Sequence, residues 1–474
     1  MDPITREEKL MVGEQLEPIT RKEMFLAKAA GMDIKTPEPI TREKMFISMI
    51  SGGGTGGSGG GGSIPSVSPK AVNFYDYDGT CLYAYTVEEA QALTKMPPLP
   101  EREGLICQGW NWTLEDIKAY NRSVTVGATY TTDDGTTRIY ITLSEGRTSP
   151  MLGVCPNGTV TVDWGDGTAP DTLTGTSTST VKWTPNHNYA EPGDYVIRLS
   201  VDGEMGFYNN NSYGGGILSD SSSNTVYRRH YLNSVYKIEI GDGVEVIGTN
   251  AFKFCSSLKC ILIPYGVTTI GTTAFERCNG LEYIFIPDSV NSISGYAFTQ
   301  AYNIRLVIIP KGLTSIEANL FQNKYALRAV DIPYGVTSIG SAAFQYCYCL
   351  ESIDIPKSVV SIAGSVFQEC LSLKSVTIPE NVTSIENYTF QNCYSLTSVV
   401  FFGNVTNIGS SVFSKCVGVR HYDFTHNTEV PVLFNTGVFS DIPTDCEIRV
   451  PAALYDEWIV ATNWATYASK IVAV

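Results

Sequence analysis

The sequence predicts a multidomain, mainly β protein whose largest part is a solenoid of 23-residue units, preceded by a β-sandwich and short amino-terminal helices. Three observations carry this. Eight phenylalanines, Phe252, Phe275, Phe298, Phe321, Phe344, Phe367, Phe390 and Phe413, fall at strict intervals of 23 residues. Prolines keep the same register at Pro264, Pro287, Pro310, Pro333, Pro356 and Pro379. Apolar residues alternate between them, as in Ile261 and Ile263 or Ile284 and Ile286. A fixed period of this length means stacked supersecondary units, each burying its apolar face only against its neighbours.

In chain order, residues 1–50 hold a second repeat, Pro3-Ile4-Thr5-Arg6, Pro18-Ile19-Thr20-Arg21 and Pro39-Ile40-Thr41-Arg42. Thr5 with Glu8 and Thr20 with Glu23 match the capping box that opens a helix, whereas Thr41 has Lys44 instead. The helices that follow, such as Lys22–Ala30, are too short to stand alone in water, so they are expected to dock as an anchor. Residues 51–70 contain the glycine run Ser51–Ser63, a flexible tether. This arrangement resembles the amino-terminal segments of structural proteins from gut-bacterial phages and prophages. The resemblance implies a virion structural protein as the partner of the anchor.

Residues 71–121 read as a small α/β module. Asp76-Tyr77-Asp78-Gly79-Thr80 resembles the first motif of haloacid-dehalogenase-type phosphatases, which would make Asp76 a nucleophile and Asp78 an acid/base. That chemistry needs a doubly wound domain with a later Ser/Thr, a Lys and a magnesium-binding acidic pair, and the module is too short to supply them. The structural alternative is a two-residue hairpin turn at Asp78-Gly79 between VNFYDY and TCLYAY. Thr86–Glu89 and Thr113–Asp116 are expected to open short helices, with Trp110 and Trp112 packed between them.

Residues 122–204 resemble a PKD-type (polycystic-kidney-disease) β-sandwich through VTVDWGDGT at Val160–Thr168 and HNYAEPGDYVIRLSV at His187–Val201. The resemblance implies a spacer or contact module without an active site of its own. Asp163 and Asp166 are candidates for calcium or for a plain polar turn. Residues 205–235, with the Asn/Gly/Ser-rich stretch Asn209–Asn224, are expected to be a hinge or amino-terminal cap.

In the solenoid, residues 236–426, one unit reads L-x-x-I-x-I-P-x-x-V-x-x-I-x-x-x-x-F-x-x-C. The I-x-I piece alternates as a strand does, and the proline ends it because it cannot donate to a ladder. V-x-x-I is a candidate second strand, and the F-x-x-C stretch is expected to be one helical turn. The pattern resembles the BspA-like leucine-rich repeat family, which implies a leucine-rich-repeat solenoid and a surface or secreted adhesin. The tail, residues 427–474, with VPAALYDEWIVATNWATYASKIVAV at its end, resembles that family's carboxy-terminal cap.

A net charge of −15 argues against nucleic acid and against an anionic membrane face. Of twelve cysteines, Cys255, Cys278, Cys347, Cys370, Cys393 and Cys416 lie three residues after a repeat phenylalanine. Their placement follows the repeat, so they are expected to be a buried apolar column without metal or disulfide. Such a column suggests folding in a reducing cytosol. The first 50 residues carry no apolar signal segment, and no stretch long enough for membrane insertion follows.

If Ile261 and Ile263 point inward, Cys260 and Leu262 point out, as do Tyr283 and Phe285, Leu306 and Ile308, Ala329 and Asp331, and Ser352 and Asp354. Leu262, Tyr283, Phe285, Leu306, Ile308, Asp331 and Asp354 are therefore the candidate ligand-binding residues, with cover by the sandwich or hinge and oligomer contact as the alternatives. The function read from these features is non-enzymatic adhesion without a cofactor. The expected protein is a tail-fibre-like or head-decoration virion component that binds a protein or glycan on a bacterial surface after folding in the cytosol. A cell-surface or secreted adhesin is the alternative, and a phosphatase using Asp76 and Asp78 a third.

Overall fold

The computed structural model describes residues 71–120, 123–208, 217–219 and 231–474. The P-I-T-R repeats and the glycine run lie outside these residues. A small module comes first: β1 (Ala71–Tyr75), β2 (Cys81–Thr86), α1 (Val87–Ala92), β3 (Leu105–Trp110), α2 (Leu114–Tyr120) and β4 (Val124–Thr132). Its sheet runs β2-β1-β4-β3, with β1 parallel to β4. The sequence boundary at residue 122 is thus corrected, because β4 pairs with β1 and β3. Almost every residue of β4 is buried, as befits a strand covered on both faces. Thr86 and Glu89 form the expected capping box, and Thr113 and Asp116 exchange the same pair of bonds at the next helix. Trp112, Ile117, Val72 and Phe74 fill the module's core, with Trp110 packed against it.

The next strands are β5 (Thr137–Leu143), β6 (Met151–Asp163), β7 (Asp171–Thr176), β8 (Lys182–Trp183) and β9 (Gly193–Phe207). β9 lies antiparallel between β5 and β6, and β7 flanks β6. This sheet runs straight into the solenoid. Val235–Glu239 pairs antiparallel with β5 and parallel with Cys260–Leu262, while Val244–Ile247 pairs with Met205–Phe207. The described part of residues 205–235 is therefore a cap and not a free hinge. One apolar cluster extends from Ile139 to Ile471.

Each solenoid unit supplies three edges to the stack. Ladder A comprises Cys260–Leu262, Tyr283–Phe285, Leu306–Ile308 and their successors, and ladder B comprises Thr269–Ile270, Ser292–Ile293 and theirs. Where neighbouring strands pair they are parallel, and up to His421–Asp423 they lie at the 23-residue register. The third edge departs from the sequence expectation, because F-x-x-C is a turn and not a helix. Left-handed residues flank each phenylalanine two positions before and after, for example Ala342 (φ 56°) and Tyr346 (φ 62°) around Phe344. These turns aim backbone N–H groups along the stack, so that Phe344 N donates to Val366 O (3.0 Å) and Phe367 N to Thr389 O (2.9 Å). Such φ values cost energy in non-glycine residues, and the repeated ladder of bonds between successive units offsets that cost.

The phenylalanine rings stack with centroids 5.2–6.0 Å apart over most of the column. Phe207 extends it at one end and Phe439 at the other. Phe439 escapes the strict period because it follows Phe413 by 26 residues. Trp458, Trp464 and Tyr467 close the carboxy-terminal end over Phe424 and Phe439. Tyr467 Oη accepts from Phe439 N (3.4 Å) and donates to Thr436 O, which occupies a turn N–H that has no following unit.

Candidate ligand-contact face of the solenoid

The outward columns of ladder A stand where the alternation puts them, but their amino-terminal half is not open. The small module lies on it. Phe285 and Ile308 are buried in a cluster with Tyr75, against which Cys81, Tyr283 and Leu306 pack. Leu262 is buried with Ala128 and Tyr130. The module approaches so closely that a Cβ on Gly127 would sit 2.5 Å from Ile308 Cδ1 and 2.6 Å from Phe285 Cδ1, and one on Gly79 2.3 Å from Tyr283. A glycine within a strand is the signal that marks such an approach, and sequence reasoning passed over Gly127.

Polar contacts fix the docking. Thr125 N donates to Asp331 Oδ2 (2.6 Å), Tyr120 Oη to Ile332 O (3.0 Å) and Tyr265 N to Gln108 Oε1 (3.1 Å). Lys311 Nζ lies 2.7 Å from Asp116 and 3.3 Å from Asp288. Burial alone would lower the Lys311 ammonium, yet these carboxylates carry it above its ordinary value. Burial also pushes the Tyr75 phenol up to about 12.

The expectation of an exposed apolar contact patch is corrected accordingly. Leu262, Phe285 and Ile308 are covered, Tyr283 and Leu306 are half-buried beneath the module, and Asp331 is engaged by Thr125. The cover comes from the small module, whose β4 lies within residues 122–204, the span expected to form the sandwich. Of the seven candidates, Asp354 alone is exposed. It opens a polar surface that continues through Ser352, Ser375 and Thr377, all exposed, and then Ser398, Val400, His421 and Asp423, all half-buried. Parallel register sets these side chains in two straight columns.

Asp76 is fully buried, ion-paired with Arg102 and accepting from Tyr130 Oη (2.7 Å). Its carboxylate is committed to holding β1, the Arg102 loop and β4 together, and no substrate reaches it in this arrangement. Asp78 is exposed and accepts from Thr80 N (2.9 Å). The hairpin loop is one residue longer than expected, because Gly79 N bonds Asp76 O, Asp76 N bonds Thr80 O, and Gly79 takes the left-handed position (φ 85°). At the turns beside β6 and β9, Asp163 accepts from Gly165 N (2.9 Å), while Asp166 accepts from Thr168 and lies 2.8 Å from His187 Nε2. Both carboxylates serve turns. Among the described residues no cluster of His, Cys, Asp and Glu is arranged to hold a metal, and no helix is long and apolar enough to cross a membrane.

The cysteine column is buried, with the thiols donating to phenylalanine carbonyls of the preceding unit, as Cys347 does to Phe321 O and Cys370 to Phe344 O, both 3.3 Å. This arrangement defines a β-solenoid repeat protein with one half of its strand face covered and the other open. Residues 227–348 and 314–441 match the family model of the BspA type leucine rich repeat region, in six copies, so this part of the chain is similar to that family. No curated protein sequence matches the chain. Among solved structures it is similar to a leucine-rich repeat protein of T. pallidum, at 28% identity over 32% of this chain and 72% of that one, with a TM-score of 0.31. A leucine-rich repeat protein of Bacteroides ovatus matches at 17% identity over 62% and 90% of the two chains (TM-score 0.37). A leucine rich cell surface protein of Faecalibacterium prausnitzii matches at 26% identity over 43% and 65% (TM-score 0.30).

Proposed function

We propose that this chain is a non-enzymatic adhesion protein of a phage or prophage particle, tail-fibre-like or head-decorating, that contacts a protein or glycan on a bacterial surface. The observation that carries the reading is the division of the ladder A face. The small module seals its apolar half, and the open half presents hydroxyls and carboxylates in regular columns around Ser352, Asp354, Ser375 and Thr377. A broad polar face without an enclosed cleft suits recognition better than catalysis. The P-I-T-R repeats and glycine run supply the anchor and tether, and the net charge of −15 turns the chain away from nucleic acid.

The test is twofold. Labelled full-length chain is incubated with candidate host bacteria, alongside a variant carrying Asp354→Arg and Thr377→Arg. The proposal expects cell binding that the variant loses at least tenfold while its melting temperature is unchanged. Equal binding by both chains would overturn the assignment to this face. Purified particles from the source are then probed with antibody to the solenoid. Absence from particles, with the chain found on cells, would replace the virion reading by that of a cell-surface adhesin.

A further inference from the structure

One junction of the stack is built unlike the rest. Between the Phe298 and Phe321 units, none of the three backbone bonds of the turn edge is present among the described residues. At every other junction from Phe252 to Phe413 at least two of the three are made. Ladder B is interrupted here, between Ser292–Ile293 and Ser315–Ile316, as it is again between Ser361–Ile362 and Ser384–Ile385, since in each case the two strands belong to separate sheets. The Phe298 and Phe321 rings are 6.0 Å apart, against 5.2 Å and 5.5 Å at the junctions on either side. Ladder A holds as it should, with Arg305 N donating to Glu282 O (2.7 Å) and Ile286 N to Ile308 O (3.3 Å), and beside the gap Tyr302 stacks on Tyr325 with centroids 5.0 Å apart.

The residue inside this gap is Lys324, which occupies the cysteine position of its unit, while Ala301 occupies it in the unit before. Lys324 is completely buried, and its Nζ donates to Phe298 O (2.6 Å) and Gln322 O (2.9 Å). Two carbonyls satisfy the two hydrogens of a neutral amine, whereas an ammonium would bring a third hydrogen and a buried charge. The titratable group facing it is the Cys347 thiol of the following unit, pushed up to about 12 by burial and therefore neutral. Neither its own turn nor the Phe298 unit sets a carboxylate against it among the described residues. Burial accordingly lowers the amine to about 7.

On the opposite side of the stack the small module bridges the same two units. Gly127 and Tyr75 lie over Phe285 and Ile308 together, and Lys311 of one unit joins Asp288 of the other to Asp116 of the module. We infer that the junction between the Phe298 and Phe321 units is a proton-sensitive hinge of the solenoid, wedged from within by Lys324 and braced from outside by the small module. The sign follows from linkage. The opened junction returns the amine to water and its ordinary affinity for protons, so between about 7 and about 10.5 opening takes up a proton. Raising the pH across that window closes the hinge, and below it the effect levels off.

Hydrogen exchange followed by mass spectrometry on the full chain tests this, comparing peptides over residues 296–311 with the equivalent 342–357 at pH 7 and pH 9, after correction for intrinsic exchange. The expected result is weaker protection in 296–311, rising on the order of tens of fold from pH 7 to pH 9. Lys324→Met should remove the pH dependence and leave 342–357 as it was. Lys324→Cys, which restores the column residue, serves the same purpose if the methionine variant does not fold. Equal protection in the two segments of the wild type, or a pH dependence that survives in the variants, would overturn the hinge.

Discussion

The column thiols show how one side chain is tuned by its place in a repeat. Cys255, fully enclosed, has its thiol pushed up to about 12 by burial, and Cys278, Cys370 and Cys393 are raised as well. Thiolate is the reactive form, so these residues should resist alkylation in the native chain. At pH 8 iodoacetamide is expected to leave Cys255, Cys370 and Cys393 unmodified over hours, and to label all three once urea unfolds the chain. Peptide mapping checks this, and native labelling of Cys370 at the rate of a free thiol would contradict it. The burial of these residues was legible in the sequence because their spacing matches that of the phenylalanines. Their hydrogen bonds were not, because the carbonyls they meet are aimed by left-handed turns at residues such as Tyr346 and Glu369, and side chains of this kind do not announce a positive φ.

Among elements, the docking of the small module onto ladder A decides what the solenoid offers to other molecules. Gly127 allows this docking, and Gly127→Val places branched carbons where Phe285 and Ile308 already stand. Overpacking of this sort costs about 1–3 kcal/mol, and here the module is free to lift away. Gly127→Val is expected to expose the apolar cluster, read as increased binding of a hydrophobic dye at a temperature where the solenoid remains folded. It should also reduce protection in residues 296–311 if the module braces that junction. Unchanged dye binding would mean that the module is held by its polar contacts alone.

At the carboxy-terminal end, Tyr467→Phe removes the hydroxyl that accepts from Phe439 N and donates to Thr436 O. Leaving buried polar groups unpaired costs about 1–3 kcal/mol. A lower urea midpoint with an unchanged slope is the expected result, and an unshifted midpoint would show that water replaces the hydroxyl. The apolar run of Tyr283, Phe285, Leu306 and Ile308 was legible from alternation alone. Its cover was not, because the covering surface is assembled from Tyr75, Cys81, Ala128, Tyr130 and two glycines on separate strands and a turn, which leave no periodic trace.

At the scale of the described molecule, the β5–β9 sheet and the solenoid share one apolar core. The period that defines the solenoid begins at Phe252, and nothing in the spacing points to Phe207, 45 residues earlier. Yet Phe207 is fully buried with its ring 5.1 Å from that of Phe252, and β9 pairs directly with the strand Val244–Ile247. In a stack where each unit touches only its neighbours, a defect at one end weakens the adjacent units most and fades with distance. Removing a buried phenylalanine costs about 3–5 kcal/mol. Phe207→Ala should therefore lower hydrogen-exchange protection in β9 and equally in the Phe252 unit, less in the Phe275 unit, and hardly at all around Phe413. A loss confined to β9 would mean that the β5–β9 sheet and the solenoid fold independently and merely abut. A uniform loss from Ile139 to Ile471 would instead make the whole stack a single cooperative unit, in which case the Phe298–Phe321 junction, for all its missing bonds, is not where the molecule opens first.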